Sequence, residues 1–481
     1  MTAPAPLLVV GDALLDHDLT GRAERLAPDA PVPVVSGVRR ATRPGGAALA
    51  AFLAAADGRE VTLVTALGDD PASDTLRELL AGRVRRVELP LTGALSSKTR
   101  VLAEGTPLLR LDDGDGRAGS ATDEGRRAVA DAGAVLVADY GRGTAGVLRE
   151  ALAGAAAHVP VVWDPHPRGE PPVPGVRVAT PSATEARTFA SRLGGGDEPQ
   201  EGSGLRTAAR DADTLVHAWR AACVTVTLGG RGALLSHGGT PLMVPSPVTA
   251  EGDACGAGDR FAATAAGLLA DGELTETAVR GAVHAATRYV AEGGVRSLGT
   301  ETGTAEEPRP AAGREPTGDA LRTATRVRAA GGTVVAAGGC FDLLHAGHVA
   351  LLQAARRTGD CLIVCVNSDA SVRRRKGDGR PLVPEADRIR VLRALECVDA
   401  VAVFDEDTPE RLLGELRPHI WAKGGDYALA ELPEASLVAS WGGQVVLFPY
   451  LDGRSTTGIA ERAALGPRPQ NLARTGSNGR R

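Results

Sequence analysis

Short apolar runs that stop at glycine or aspartate recur through residues 1–300. They are Leu7–Val10, Val61–Leu67, Ala134–Ala138, Val159–Trp163 and Val224–Leu228. Alanine-rich segments with helical spacing lie between them, and one opens at Pro44. Continuous apolar runs that alternate with helices are typical of a parallel sheet covered on both faces. The pattern therefore predicts a doubly wound α/β domain over residues 1–300.

The same alternation returns after a polar segment. Residues 301–320 are rich in proline, glycine and charged side chains, which predicts a linker. The apolar runs beyond it are Thr333–Ala337, Cys361–Val366, Val401–Phe404, Ile420–Ala422 and Val445–Phe448. They predict a second, smaller α/β domain over residues 321–465. The remaining residues, 466–481, are polar and basic and predict a disordered tail.

Composition and charge narrow the class of protein. The chain has 481 residues, of which 43% are hydrophobic, and a net charge of −5, which does not favour a nucleic-acid partner. The six cysteines are scattered without disulfide or zinc spacing, as expected in a reducing compartment. No apolar run reaches the ~18 residues that a membrane span needs. The first residues lack the basic region of a signal peptide. We therefore expect a soluble cytoplasmic protein.

A histidine motif lies between a predicted strand and a predicted helix of the second domain. The run Thr333–Ala337 stops at two glycines, and His345-Ala-Gly-His348 follows shortly after Phe341. A helix N-terminus attracts anions, and side chains three residues apart share one face of its first turn. Gly347 leaves room for a nucleotide to approach the backbone. The arrangement predicts a nucleotide site, with a surface histidine pair or a metal site as the alternatives.

A glycine-rich turn precedes a helical pattern near the end of the first domain. Its sequence is Gly252-Asp-Ala-Cys-Gly-Ala-Gly-Asp259. Closely spaced glycines before a helix expose backbone N–H groups toward an anion, here around Gly256, Ala257 and Gly258. Asp259 can cap this helix, or it can take a proton from a hydroxyl that attacks phosphorus. The neighbouring glycine turns favour the general base.

Further cations and hydroxyls lie beside predicted turns of the second domain. Lys376 precedes a Gly-Asp-Gly loop, and Lys423 follows a strand and precedes two glycines. Both positions suit a lysine that faces a phosphate. Ser455 and Thr456 begin another predicted helix, which their hydroxyls can cap or where they can bind phosphate.

These motifs carry a family resemblance. The first domain resembles the ribokinase-like carbohydrate kinases, through Gly45-Gly46 and Gly256-Ala-Gly-Asp259. The second resembles the cytidylyltransferase-like nucleotidyltransferases, through His345-x-Gly-His348 and Ser455-Thr-Thr457. Their fusion resembles the bifunctional family of ADP-heptose synthesis, in which a heptose-7-phosphate kinase precedes a heptose-1-phosphate adenylyltransferase. The resemblance implies a ribokinase-like doubly wound domain followed by a Rossmann-like nucleotidyltransferase domain.

The resemblance implies a kinase site in the first domain. Heptose 7-phosphate would contact Asp12, Asp16, Gly45 and Gly46, with Arg100 and Arg110 as candidate phosphate partners. Asp259 would deprotonate the anomeric hydroxyl, which attacks the γ-phosphorus of ATP. The N–H groups of Ala257 and Gly258 would stabilise the transferred charge. The resemblance also places Gly229 beside the nucleotide and assigns Glu185 to Mg²⁺, through water.

The resemblance implies an adenylyl transfer in the second domain. The sugar 1-phosphate would attack the α-phosphorus of a second ATP and expel pyrophosphate. The residues implied to hold the nucleotide are Phe341, His345, His348, Lys376, Lys423, Ser455 and Thr456. The expected partners are a sugar phosphate and ATP, with no nucleic acid or membrane, and the family implies a homodimer through the kinase domain.

Four positions depart from the family pattern. Ser182 and Cys255 stand where relatives carry asparagine and threonine, His166 replaces a lysine, and His284 replaces an asparagine near the adenine. Two alternatives stay open at this point. The same architecture can act on another sugar phosphate or use CTP, or a non-catalytic kinase-like module can support an active transferase.

Overall fold

The protein is described by a computed structural model that covers residues 3–28, 30, 32–103, 106–194, 204–248, 250, 252–295, 320–425 and 434–449. The chain divides into two compact units, Met1–Ala311 and Ala312–Arg481. The predicted linker, except its last residue, and the predicted tail lie outside the described residues, so both boundaries stay predictions. Within the described ranges, no helix has both the length and the apolarity to cross a bilayer.

The first unit alternates strands and helices, as its apolar runs predict. Its strands are β1 (Leu7–Gly11), β2 (Ala13–Leu26), β3 (Pro33–Gly46), β4 (Val61–Leu67), β5 (Arg85–Thr92), β6 (Ser97–Ala103), β7 (Thr106–Asp113), β8 (Arg117–Ala118), β9 (Val135–Ala138), β10 (Val161–Asp164), β11 (Val178–Ala179), β12 (Val224–Thr227), β13 (Gly232–Ser236) and β14 (Leu242–Pro245). Its helices are α1 (Ala47–Ala56), α2 (Pro71–Leu80), α3 (Asp123–Ala130), α4 (Thr144–Val147), α5 (Arg149–Ala156), α6 (Ala183–Arg192), α7 (Gly204–Trp219), α8 (Ala257–Ala270) and α9 (Thr275–Ala291).

The main sheet of the first unit is mostly parallel. Strand β1 pairs with β9 on one side and with β4 on the other, and β10, β11 and β12 continue the parallel order beyond β9. Strands β13 and β14 run antiparallel at one end, and β8 pairs antiparallel with β5 at the other. Ligands in such folds bind outside the carboxyl ends of the strands, where the strand order reverses. That point lies between β1 and β9.

The described part of the first unit also contains a second sheet of four strands, in the order β3-β2-β6-β7, which was not predicted from the sequence. The helix predicted to open at Pro44 begins only at Ala47, because Pro44, Gly45 and Gly46 end strand β3. Strand β7 is exposed along its whole length, and β3 is exposed over much of it. Strands that bury few apolar side chains do not produce the continuous apolar runs from which the main sheet was predicted.

Within its described residues, the second unit is a five-stranded parallel sheet with helices. Its strands are β15 (Val334–Gly339), β16 (Cys361–Asn367), β17 (Ala400–Phe404), β18 (Ile420–Gly425) and β19 (Gln444–Pro449). Its helices are α10 (Ala320–Ala329), α11 (Ala346–Arg356), α12 (Asp369–Lys376), α13 (Glu385–Arg393), α14 (Glu410–Leu416) and α15 (Ala435–Ser440). Strand β15 pairs with β16 and β18, and β17 and β19 lie outside them. The order therefore reverses beside β15, which leads into the histidine motif.

Gly338 shows how closely this motif is packed. A Cβ added there would lie 2.3 Å from the Cη2 atom of Trp421, whose side chain is fully buried in β18. Only a residue without a side chain lets β15 approach this indole. The glycine that was predicted to end a strand is thus also required by packing.

The substitution Gly338→Ala should destabilise the second unit by roughly 1–3 kcal/mol, because the added methyl group overpacks a buried site. Gly414→Ala is the matched control, since a Cβ at that helical position meets open space. It should stabilise the unit by about 0.4–1 kcal/mol. Urea unfolding of the full chain measures both changes, and equal effects of the two substitutions would contradict this packing account.

Candidate active sites

The first site lies at the carboxyl ends of β1 and β9. Asp12 follows β1, and Asp139 and Tyr140 follow β9. The Asp12 carboxylate is buried and accepts backbone N–H groups from Tyr140 at 3.0 Å, Arg142 at 2.8 Å and Thr144 at 3.0 Å. Asp12 therefore holds the turn after β9 in place. Its predicted contact with the sugar stays a prediction, because both of its oxygens already have donors.

Asp259, the predicted general base, lies in the first turn of α8. Its side chain is buried, and the Tyr140 hydroxyl donates to its Oδ1 at 2.7 Å. Burial raises the pKa of Asp259 to about 7, although the hydrogen bond from Tyr140 opposes this rise. A carboxylate with a pKa near neutrality can accept a proton from a hydroxyl and release it later. The structure thus gives Asp259 the environment of a base rather than that of an exposed helix cap.

The turn before α8 has the form expected of an anion site. Gly256 adopts a left-handed conformation, with φ of 77°, and is the N-cap of α8. The N–H of Gly258 lies in the first turn, where no intrahelical acceptor exists, so it is available to an anion. The N–H of Ala257 instead donates to the Ala254 carbonyl at 3.1 Å. Of the two predicted donors, Gly258 is therefore the better placed.

Asp16 and the two glycines of β3 meet across the four-stranded sheet. A Cβ added at Gly45 would lie 2.8 Å from the Asp16 Cγ atom, so the glycine makes room for this carboxylate. Gly46 has a φ of 57°, which favours glycine. Burial raises the pKa of Asp16, against the opposing charges of Arg43 and Lys98. The structure brings these three predicted sugar contacts together.

The two predicted phosphate arginines have carboxylate partners in this structure. Arg100 pairs with Asp18 at 2.9 Å and with Asp253 at 3.3 Å, and so connects β6 with the turn before α8. Arg110 lies on exposed strand β7 and pairs with Asp112 at 2.8 Å. Their contact with a sugar phosphate stays a prediction.

Glu185, the predicted indirect ligand of Mg²⁺, is in the first turn of α6. Its carboxylate accepts from the Ser182 hydroxyl at 2.7 Å and from the Ser182 N–H at 2.9 Å, while Ser182 caps the helix in return. Serine thus retains a polar partner for Glu185 at the position where relatives carry asparagine.

Asp164, at the end of β10, adds a second carboxylate to this region. Burial raises the pKa of Asp164 well above its usual range, and the negative charges of Asp259 and Glu185 raise it further. A divalent cation would relieve this repulsion, and carboxylate oxygens are the ligands that Mg²⁺ prefers. The donor set of Asp164 and Glu185 therefore fits the magnesium that the family implies.

The second site is built around the two stacked histidines. His345 caps α11 and accepts the Gly347 N–H on Nδ1 at 3.1 Å. Its ring stacks on that of His348, with centroids 3.9 Å apart, and Phe341 packs against His348 at 5.3 Å. Burial lowers the pKa of His348 to about 4, and the nearby charges of His345 and Lys376 add to this effect. His348 is therefore neutral at pH 7 in this state.

A buried aspartate holds the loop after α12 against the histidine turn. Asp342 accepts the N–H groups of Leu382 at 2.6 Å and Val383 at 3.0 Å and pairs with Arg380 at 2.7 Å. Burial alone would raise the pKa of Asp342, but the bonds from Arg380 and the two N–H groups hold it below its usual range. The loop between Lys376 and this anchor thus lies beside the predicted nucleotide site.

The remaining predicted nucleotide contacts fall in different places. Lys376 ends α12, and Lys423 pairs with Glu434 at 2.8 Å near the end of β18. Gly229 begins a single turn of 3₁₀-helix after β12, in the first unit. Ser455 and Thr456 lie outside the described residues, so their predicted roles are not addressed by this geometry.

Several polar residues of these sites were not predicted from the sequence. Tyr140 was not among the predicted residues, although its position at the carboxyl end of β9 was a usable signal. Arg388 is fully buried in α13 and donates to the carbonyl oxygens of Cys340 at 2.6 Å and Asn367 at 2.9 Å. Asp18 and Asp253 act through Arg100, and no local pattern links them.

Comparison with known families covers both units. The model of the pfkB family carbohydrate kinases matches residues 5–302, and the cytidylyltransferase-like model matches residues 336–448. The first range contains Asp259 and the second contains both histidines. These matches confirm the predicted fold class and the predicted order, in which a carbohydrate kinase precedes a nucleotidyltransferase.

Curated relatives match over nearly the whole length of the chain. The chain is 64% identical to the bifunctional protein HldE of Streptomyces coelicolor over 470 residues, covering 97% of this chain and 98% of that protein. It is 36% identical to HldE of Pelobacter propionicus over 482 residues, covering 95% of this chain and 96% of that protein. The Arabidopsis thaliana ribokinase structure with ribose and ATP shares 23% identity, with a TM-score of 0.48, over 62% of this chain and 96% of that one.

The pH dependence of the kinase reaction should report the environment of Asp259. A base works deprotonated, so with a pKa of about 7 the kcat/KM of the wild-type kinase should fall as the pH decreases below about 7. The substitution Tyr140→Phe removes a hydrogen bond that lowers this pKa, so the acid limb should move to higher pH. Steady-state rates across the pH range measure the shift.

Tyr289→Phe provides a matched control for this experiment. The Tyr289 hydroxyl donates to the Cys255 carbonyl at 3.1 Å instead of to Asp259. Its loss should leave the midpoint of the acid limb in place. An unchanged midpoint in Tyr140→Phe would show that the hydroxyl does not control Asp259.

Proposed function

The chain belongs to the family of bifunctional HldE proteins, and from this premise we propose that its two sites carry out two successive phosphorus transfers. The first site phosphorylates heptose 7-phosphate at O1 with ATP. The second transfers AMP from another ATP onto heptose 1-phosphate and gives ADP-heptose and pyrophosphate. The observation that carries the proposal is a buried base, Asp259, in the same chain as the stacked pair His345 and His348.

The number of phosphate groups on the sugar requires a further reaction between the two transfers. Heptose 7-phosphate gains a second phosphate in the kinase step, whereas the sugar that enters the transferase step carries one. A phosphate monoester must therefore be hydrolysed between the steps, at the 7-position.

In the kinase step, Asp259 takes the proton of the anomeric hydroxyl. The hydroxyl oxygen forms a bond to the γ-phosphorus while the bond to the ADP oxygen breaks. The N–H of Gly258, at the positive end of α8, faces the charge on the transferred group. Asp16 and the backbone at Gly45 and Gly46 bind the sugar hydroxyls.

Magnesium supports this step through the phosphates of ATP. When bound, Mg²⁺ neutralises phosphate charge and orients the nucleotide for in-line transfer. Asp164 and Glu185 would hold it, because the negative charge of Glu185 acts on the buried Asp164 carboxyl and a cation would relieve this repulsion. The Ser182 hydroxyl and N–H fix the position of the Glu185 carboxylate.

In the transferase step, the sugar phosphate oxygen attacks the α-phosphorus and pyrophosphate leaves. The two imidazoles contact the triphosphate at the N-terminus of α11, where the helix dipole also favours negative charge. A triphosphate beside His348 raises the pKa of its ring, so that protonation is favoured when nucleotide is present. Lys376, Lys423, Ser455 and Thr456 supply the remaining contacts, and no covalent intermediate is needed.

We also assign the protein a homodimeric state and a cytoplasmic location. Leu108, Leu109 and Leu111 on strand β7 are between 40% and 54% exposed, and an exposed apolar strand of this kind suits a subunit interface. All six cysteines are free thiols, which suits a reducing compartment that also supplies ATP. Sedimentation of the purified protein measures the oligomeric state.

Two substitutions should separate the activities. Asp259→Asn should lower phosphorylation of heptose 7-phosphate by roughly 100-fold or more, since a positioned base contributes at least that factor. It should leave AMP transfer onto supplied heptose 1-phosphate intact. His348→Ala should leave phosphorylation of heptose 7-phosphate intact and should lower the rate of pyrophosphate release by roughly 100-fold.

Each variant is the control for the other, because both keep one activity in a folded chain. Mass analysis of the sugar products, with ATP and Mg²⁺ supplied, measures both reactions. If the wild-type protein phosphorylates no heptose 7-phosphate, the kinase step is contradicted and the first unit is a non-catalytic binding module. A wild-type protein that uses CTP in place of ATP would contradict the adenylyl transfer.

A further inference from the structure

Three cations surround a cleft beside the kinase base. Lys98, Arg142 and Arg168 line this cleft together with Tyr140. These residues come from strand β6, from the turn after β9 and from the turn after β10. The cations therefore converge through the fold, because they are far apart in the sequence.

These cations are available to an anion. In the part of the chain that the structure describes, Lys98, Arg142 and Arg168 have no carboxylate within ion-pairing distance. By contrast, Arg100 and Arg110 are each paired with aspartate. The excess positive charge near the base thus lies in the cleft rather than on the two arginines predicted from the sequence.

Two aspartates at the cleft are already engaged. Asp112 pairs with Arg110 at 2.8 Å, and Asp113 accepts the Gly114 N–H on Oδ1 at 2.8 Å. Arg110 thereby reduces the negative charge that would repel an anion. This gives Arg110 an indirect role at the cleft.

Tyr140 connects the cleft to the reacting end of the site. Its hydroxyl donates to Asp259 at 2.7 Å, and the Lys98 Nζ lies 5.3 Å from the centroid of its ring. Tyr140 therefore contacts both the base and one cation of the cleft. A single sugar can place one hydroxyl at Asp259 and an anionic substituent in the cleft.

We propose that Lys98, Arg142 and Arg168 form the subsite that binds the phosphate already present on the sugar substrate. The inference rests on the proposed function, and it deepens it by naming the residues that select a phosphorylated sugar. Arginine and lysine bind phosphate through charge-assisted hydrogen bonds. An unphosphorylated sugar leaves these cations without a partner, so the subsite acts as a specificity determinant.

The subsite lies at the far end of the substrate from the transferred phosphoryl group. Its contacts form in the ground state and persist in the transition state, so they contribute uniform binding. Their loss should raise KM for the phosphorylated sugar and leave kcat unchanged.

The test compares phosphorylated and unphosphorylated heptose as substrates of single variants. In Arg142→Ala and Arg168→Ala, KM for heptose 7-phosphate should rise about tenfold, as expected for one charge-assisted contact. The kcat/KM for unphosphorylated heptose should not change. In Arg142→Lys, which keeps the charge, KM for heptose 7-phosphate should rise less than in Arg142→Ala.

Arg126→Ala is the matched control, because this arginine is exposed on α3 and pairs with Asp123 at 3.1 Å. It should leave both substrates unaffected. Calorimetric titration of heptose 7-phosphate without ATP should show the same tenfold loss of affinity in the two cleft variants. This binding measurement detects the subsite even where catalysis is weak.

Two results would overturn the assignment. One is an equal fall in kcat/KM for both sugars, which indicates a general loss of structure. The other is an unchanged KM in the cleft variants with a selective loss in Arg110→Ala. If the wild-type protein phosphorylates a different sugar phosphate, the proposed function fails, but the ratio between that sugar with and without its phosphate still tests the subsite.

Discussion

The three backbone N–H groups that converge on the Asp12 carboxylate hold the kinase site together. They fix the turn after β9 to the end of β1, at the point where the strand order of the sheet reverses. Tyr140 and Arg142 belong to that turn, so one anchor positions both the hydroxyl that bonds Asp259 and a cation of the cleft. Without the carboxylate, each N–H left unpaired in the interior would cost about 1–3 kcal/mol. Local stability and catalytic geometry therefore depend on the same contact.

In the second unit, the buried carboxylate of Asp342 has the corresponding role. Its carboxylate accepts two N–H groups and the Arg380 guanidinium, and so ties a loop to the turn that carries the histidines. In the first unit the anchored segment follows strand β9, where the main chain leaves the sheet and its polar groups need other partners. In the second unit Asp342 itself follows β15, and the segment that it anchors is the loop between α12 and α13. Buried aspartates meet this need, and the side chains that remain free in the loops do the chemistry.

The sequence predicted the parallel strands and the glycine turns well, because burial on both faces leaves continuous apolar runs. It did not predict the exposed four-stranded sheet, whose strands lack that pattern. Contacts between distant residues could not be predicted from the sequence either. The hydrogen bond from Tyr140 to Asp259, for example, spans 119 residues and has no periodic signature. Asp12 was expected to contact the sugar because of the family resemblance, and this contact stays a prediction. Its three donors became visible only in the fold.

By this two-step mechanism, one chain moves two different phosphorus atoms of ATP onto a sugar. Wild-type protein can be incubated with ATP labelled at the γ-phosphorus and, separately, with ATP labelled at the α-phosphorus. The two-step mechanism predicts γ label in the bisphosphate formed from heptose 7-phosphate, and α label in the nucleotide sugar formed from heptose 1-phosphate. Transfer of α label without any transfer of γ label to a heptose 7-phosphate would contradict it.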